Sequence, residues 1–191
     1  MAKMDDAPRV HVETVDDWRT WLHAHSASSD GAWLVVWRPA TGRSRIDYED
    51  AVLEALCVGW IDGQAKPLDD ERSMLWFAPR SPNSAWAGTN KARVAMLVAE
   101  GRMRPAGQRL IDLAQANGMW TVLDGPEAGI EPPDLTAALD ADPAARMQWD
   151  AWTPGVRKAA LSAIALAKKP ETRRARIARI AADAAAGRKP A

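Results

Sequence analysis

Tyr48-Glu-Asp-Ala-Val-Leu-Glu-Ala-Leu-Cys-Val-Gly-Trp-Ile-Asp-Gly63 is the stretch whose reading decides the fold, with Trp76-Phe-Ala-Pro-Arg80 as its continuation. Val52, Leu53, Leu56 and Cys57 recur at helical spacing and make an inner face. Asp47 stands where an N-cap belongs, and Gly59 can end the helix in the left-handed conformation. Past that glycine, Trp60-Ile-Asp62 and Met74–Phe77 carry strand-forming residues and predict a strand pair. The acidic connection from Gly63 to Ser73 is longer than a tight hairpin needs, so it is expected to lie over a cleft. The chain reversal is expected to gather Trp60, Asp62, Lys66 and Arg80.

Working outward toward the N-terminus, Ala32-Trp-Leu-Val-Val-Trp37 is a compact apolar run that predicts a buried strand. Before it, Thr14 with Asp17 three residues on predicts a capped helix reaching about His25, with Trp18, Trp21 and Leu22 on one face. Val10–Val12 predicts a short strand. Toward the C-terminus, helices are expected from about Ala87 to Glu100 and from Pro105 to Gly118, the second opened by a proline whose missing N–H costs nothing there. Glycines, prolines and acids between Thr121 and Pro133 predict a linker, centred on 124–131.

Everything after that is helical in pattern. Asp134, Asp142-Pro143 and Thr153-Pro154 are helix starts, and Lys169-Pro170 opens a last helix whose stripe is Ile177, Ile180, Ala181 and Ala184. The expected organisation is α+β: a small antiparallel sheet flanked by helices in residues 1–123, and an all-helical extension over 132–191.

Apolar residues make up 47% of the 191, enough to fill a core. Ten tryptophans stand against one tyrosine and one phenylalanine, and tryptophan serves cores and binding clefts alike. Cys57 is the only cysteine, so no intrachain disulfide can form. No apolar h-region opens the chain and no apolar run approaches the ~20 residues of a bilayer span, which reads as a cytoplasmic protein. The zero net charge is unevenly spread: ten basic and two acidic residues lie from Pro154 onward, leaving 15 basic and 23 acidic before it. Mutual attraction of the two parts explains this more simply than an outside acidic partner.

Few motifs carry chemistry. His23 and His25 are two apart on a helix and share no face, so no metal site is read. Cys57 has no histidine after residue 25 to act as its base, and it reads as a small buried hydrophobe. Asp62 beside Trp60 could be held as an acid, but a turn cap or an ion pair with Lys66, Arg72 or Arg80 is the commoner use. No catalytic residue or cofactor is assigned. Arg173, Arg174, Arg176 and Arg179 invite a nucleic-acid reading, yet no aromatic follows Trp152 for stacking, and Arg173 falls beside Ile177 and Ile180 as an internal ion-pair residue would.

Ala55–Gly63, Leu68-Asp-Asp70, Phe77–Arg80, Ser84-Ala-Trp86 with Asn90, Gly118-Met-Trp120 and Ala167–Arg173 resemble the YdeI/OmpD-associated family of bacteria. The resemblance runs from Trp18 to about Gly187. This chain departs from the family pattern in having Ala87 in place of a serine and Gln115 in place of a lysine. The resemblance implies an α+β fold, a bacteriocin-protection or porin-associated role, and no agreed catalytic residues.

These readings converge on a non-enzymatic protein with a Trp/Arg cleft for a small anionic ligand or peptide. The candidate ligand-binding residues are Trp37, Trp60, Asp62, Lys66, Arg80, Trp86 and Asn90, with Arg80 and Lys66 meeting the anion. A protein-interaction module docking through the basic C-terminal helices is the alternative. A hydrolase-type enzyme using Asp62 is the weaker one.

Overall fold

A computed structural model describes residues 4–189. The described chain forms two compact units: one runs up to Ser84 and resumes over Thr89–Ala116, the other comprises Ala85–Gly88 and the chain from Asn117 onward.

The first unit holds a four-stranded sheet in the order β1-β2-β4-β3, formed by β1 (Arg9–His11), β2 (Ala32–Trp37), β3 (Trp60–Pro67) and β4 (Arg72–Pro79). β2, β4 and β3 are antiparallel neighbours as expected, but β1 pairs with β2 in parallel, so the sheet is mixed. The reason is the connection: α1 (Val15–His25) carries the chain back across the sheet before β2 begins. Thr14 caps α1 by accepting the Asp17 N–H at 3.2 Å.

Strand alternation gives the sheet two different faces. On one, Phe77 packs against Trp18 of α1 with ring centroids 5.3 Å apart, and the Trp18 indole donates to the Ala51 carbonyl at 3.1 Å. Ala51 belongs to α2 (Tyr48–Cys57), whose residues Ala51–Cys57 are all buried. On the other face Trp33, Val35 and Met74 form a cluster with Ala7, with Met4 packed against it. The Trp33 indole donates to the Met4 carbonyl at 2.7 Å.

The long connection expected between β3 and β4 does not exist. β3 continues to Pro67 and a turn at Leu68–Glu71 closes a hairpin. Asp69 builds that turn, accepting from the Glu71 and Arg72 N–H groups and from the Arg72 guanidinium. A register shift between Asp62 and Ala65 marks a bulge at Gly63-Gln64. Asp47 precedes α2 as expected, although its side chain makes no capping bond. Gly59 does adopt the left-handed conformation, with φ 82°. α3 (Gly88–Ala99), from its second residue on, and α4 (Pro105–Ala116) complete the unit's helices.

All regular structure described in the second unit is helical. The stretch read as a linker holds a short helix, α5 (Asp124–Glu127). It is followed by α6 (Pro133–Asp140), α7 (Pro143–Ala151), α8 (Pro154–Ala165) and α9 (Pro170–Ala185). Each of the last four opens on a proline in its first turn. Their core is Leu135, Leu139, Trp149, Trp152, Leu161 and Ile164 with Ile177, Ile180 and Ala184 of α9. Glu131 accepts two bonds from Arg146 and one from the Trp149 indole, and Arg173 pairs with Asp134 at 2.7 Å. Lys158, Arg173 and Arg188 of the basic C-terminal region thus pair with acids of their own unit, Glu127, Asp134 and Asp183. Among the described residues no helix is long and apolar enough to cross a membrane.

Candidate functional site

Glu54 is the residue from which the first site is built. It sits on the buried side of α2 with 3% of its surface exposed, where an uncompensated carboxylate would cost several kcal/mol. Arg19 of α1 answers it with two bonds, at 2.9 and 2.8 Å, and Arg102 adds a third at 2.7 Å. Burial pushes the Glu54 carboxyl upward, but hydrogen bonds from the two arginines outweigh it and hold the group below its ordinary value. Cys57, one turn on, is neutral at physiological pH because burial lifts its thiol to about 11.

Around this triad lies a cavity of about 400 Å³ lined by Arg19, His23, Glu54, Cys57 and the segment 101–105. A shallower groove of about 430 Å³ shares His23, Arg104 and Pro105 with it and adds Ser26 and Arg109. Together the two carry four arginines on their walls against the single carboxylate of Glu54. Arg104 approaches the His23 ring at 3.3 Å, and neither Arg104 nor Arg109 has a carboxylate partner among the described residues. Gly107 brings α4 against α2 and so shapes this end: a Cβ there would stand 2.6 Å from the Cys57 carbonyl oxygen.

A second pocket, of about 360 Å³, lies between the start of α2 and the α2-facing side of the sheet. Its wall includes Tyr48 and Asp62, whose side chains meet with the hydroxyl donating to Oδ2 at 2.7 Å. Desolvation together with this bond lifts the tyrosine to about 12.

The seven residues read from the sequence as one cleft fall in several places. Asp62 alone of them lines the pocket beside Tyr48. Arg80 is buried at 4% exposure, and burial lowers its guanidinium to about 10 while the nearby Asp62 charge opposes that shift. Asn90 accepts a bond from Arg93, which also grips Glu49 through two bonds. Asp62, Arg80 and Asn90 therefore belong to one charged neighbourhood with Tyr48, Glu49 and Arg93.

The other four lie elsewhere. Trp60 is a core residue, 1% exposed, its indole donating to the Ser26 carbonyl at 3.2 Å. Lys66 stands 4.4 Å over the Trp33 ring on the opposite face of the sheet and pairs with Asp5 at 3.7 Å. Trp37 donates to Glu13 and is covered by Arg43 at 4.2 Å. Trp86 belongs to the second unit, where its ring tilts against Trp120 with centroids 5.2 Å apart. Glu54, Arg19, Arg102, Arg104 and Arg109 escaped the sequence reading. An acid on an otherwise apolar helix face was the one available signal.

Residues 10–110 match a family model described as a domain of unknown function (DUF8412). The chain belongs to that family. Residues 129–187, most of the second unit, match the model described as "Bacteriocin-protection, YdeI or OmpD-Associated". The match to the family that the sequence motifs resemble thus covers the helical C-terminal region, whereas Gly59–Asp62 and Phe77–Arg80 lie within the other model's span. No curated protein and no solved structure matches the chain.

Proposed function

We propose that the protein is a non-enzymatic, cytoplasmic binding protein whose first unit captures a small anion, or the carboxylate end of a peptide, in the arginine-lined groove. The observation that carries this reading is the charge imbalance of the groove. Arg104 and Arg109 line it without a carboxylate partner among the described residues, beside a cavity where Arg19 and Arg102 already enclose Glu54. Guanidinium groups present planar paired donors suited to carboxylate and phosphate, and clustered cations concentrate anions at the mouth of a cleft. The anionic ligand expected from the sequence keeps its chemistry in this reading but not its tryptophans. The match over 129–187 supports a role in bacteriocin or envelope-stress tolerance, with ligand capture as the contribution of the first unit.

Titration calorimetry with inorganic pyrophosphate at low salt tests the reading. Saturable binding that falls at least tenfold in Arg104→Ala/Arg109→Ala, with the melting profile retained, agrees with it. Equal affinity in the double variant removes the groove as the site.

Docking through the basic C-terminal helices is the second reading. It is favoured by the exposure of Lys168, Lys169 and Arg174, which have no acidic partner among the described residues. Replacing all three by glutamine and repeating a partner pull-down separates it from the first.

A further inference from the structure

The pocket beside Tyr48 and Asp62 carries a carboxylate on a largely apolar wall where the first groove carries arginines, and the geometry points to it as a second site, one that takes a protonated amine on an apolar body. Its volume of about 360 Å³ lies at the small end of ligand sites, right for a metabolite and too small for a folded partner. Leu34, Val36 and Leu75 of the sheet and Ala51 of α2 provide apolar lining.

The polar groups on that wall are few. Arg45 is engaged by Asp47 at 3.5 Å, which leaves Asp62 as the remaining charged group. One Asp62 oxygen receives the Tyr48 hydroxyl at 2.7 Å, and the other has no hydrogen-bond partner among the described residues. Asp62 lines a largely apolar cavity and keeps one acceptor uncommitted, a combination that suits a donor head on a hydrophobic ligand. Tyr48 fixes the rotamer of the carboxylate, so little side-chain entropy is lost when a ligand arrives.

The backbone supports the same reading. The bulge after Asp62 breaks the β3–β4 register there, a device that commonly re-aims a side chain next to a site. Gly63, within the bulge, also lines the pocket, and a Cβ on it would meet the Trp76 ring at 3.0 Å. Two cations limit the strength of the site. Arg93, held by Glu49, and buried Arg80 both act on Asp62 electrostatically. Recognition is therefore by a charge-assisted hydrogen bond at short range, where an ammonium outdoes a hydroxyl, and the apolar floor supplies much of the affinity.

The probes are 2-phenylethylamine, 2-phenylethanol and phenylacetate, which share a ring and differ in the head group. The readouts are calorimetry and the ring signals of Tyr48, the only tyrosine. The amine is expected to bind and shift the Tyr48 signals, the alcohol to bind at least tenfold more weakly, and phenylacetate to leave the signals unchanged. Asp62→Asn, which can still accept from Tyr48, is expected to weaken the amine at least tenfold while pyrophosphate affinity stays at the wild-type value. Tyr48→Phe, which frees the carboxylate rotamer, should weaken the amine less than Asp62→Asn does. Phenylacetate binding as tightly as the amine, an amine affinity indifferent to Asp62→Asn, or no amine binding at millimolar concentration each overturns the proposal. Because pyrophosphate is read separately, failure here and failure of the anion groove are distinguishable.

Discussion

Gly107 of α4 faces the carbonyl of Cys57 at the end of α2 so closely that a single added carbon would stand 2.6 Å from its oxygen. The same carbon would meet Met103 Sδ at 2.6 Å and the Leu56 carbonyl oxygen at 2.8 Å. In an open helix, replacing glycine by alanine gains about 1 kcal/mol. Here a methionine can move aside but two backbone carbonyls cannot. Gly107→Ala should therefore destabilise the first unit by about 1–3 kcal/mol, the usual range for overpacking. Urea unfolding decides the sign, and a stabilised variant would show that α4 lies farther from α2 than described.

The Glu54 carboxylate is held below its ordinary value near 4.5 by Arg19 and Arg102. A group depressed in this way contributes stability that is fully present above its unfolded value and is lost as pH falls through the folded one. Glu54→Gln should cost about 2 kcal/mol at pH 7, less than a fully buried pair because both arginines keep a third of their side chain in water. It should also flatten the loss of stability on going below about pH 4.5. Unfolding curves at pH 7 and pH 3.5 compare the two, and an unchanged acid slope would remove Glu54 as a source of it.

Because Tyr48 is the only tyrosine and the ten tryptophans do not ionise, the pH-dependent change in near-ultraviolet absorbance reports it alone. Its ionisation should centre near pH 12, with desolvation and the bond to Asp62 as the causes. Asp62→Asn removes the negative charge and should lower the midpoint, leaving the part due to burial. A midpoint at the ordinary value of about 10 in the wild type would mean that the two side chains do not meet in solution.

In the second unit a buried and an exposed residue of one helix should behave differently. Ile180 is 2% exposed, and Ile180→Ala should cost about 2–5 kcal/mol through the cavity it leaves. Arg173 is paired with Asp134 but has a third of its side chain exposed, and Arg173→Ala should cost less than about 1 kcal/mol. Hydrogen exchange of the amides over residues 133–185 measures both. Similar losses would mean that α9 is held by charge and not by its apolar stripe.

Much of the fold was legible because its signals are local. The Thr14 and Asp142 caps, the left-handed Gly59 and the first-turn prolines each act within a few residues of themselves. The apolar run of β2 and the Ile177–Ile180–Ala184 stripe were equally readable. The length of the β3–β4 hairpin was not, because Gly63-Gln-Ala-Lys-Pro67 lacks strand-forming side chains and its pairing comes from β4 across the turn. The acidic turn itself was legible, and Asp69 closes it by accepting from the Glu71 and Arg72 N–H groups.

The candidate sites were poorly legible because their partners are remote. Glu54 meets Arg19 from 35 residues earlier and Arg102 from 48 residues later. Asp62 was singled out, yet its partner proved to be Tyr48, which the sequence offered only as the first residue of a helix. Tryptophan abundance misled most. Trp60 and Trp33 are core residues, each tied by its indole N–H to a backbone carbonyl. That use makes a large residue structural without leaving it any ligand to hold.

The position of α9 has a bearing on how the second unit comes into being. It packs against α6, α7 and α8, and its Ile177, Ile180 and Ala184 sit among Leu135, Leu139, Trp149 and Ile164. A ribosome releases these helices in order, so the three earlier ones must wait, apolar faces uncovered, for the one that closes them. That interval is the time in the life of each new molecule when proteases and chaperones have the clearest access to it.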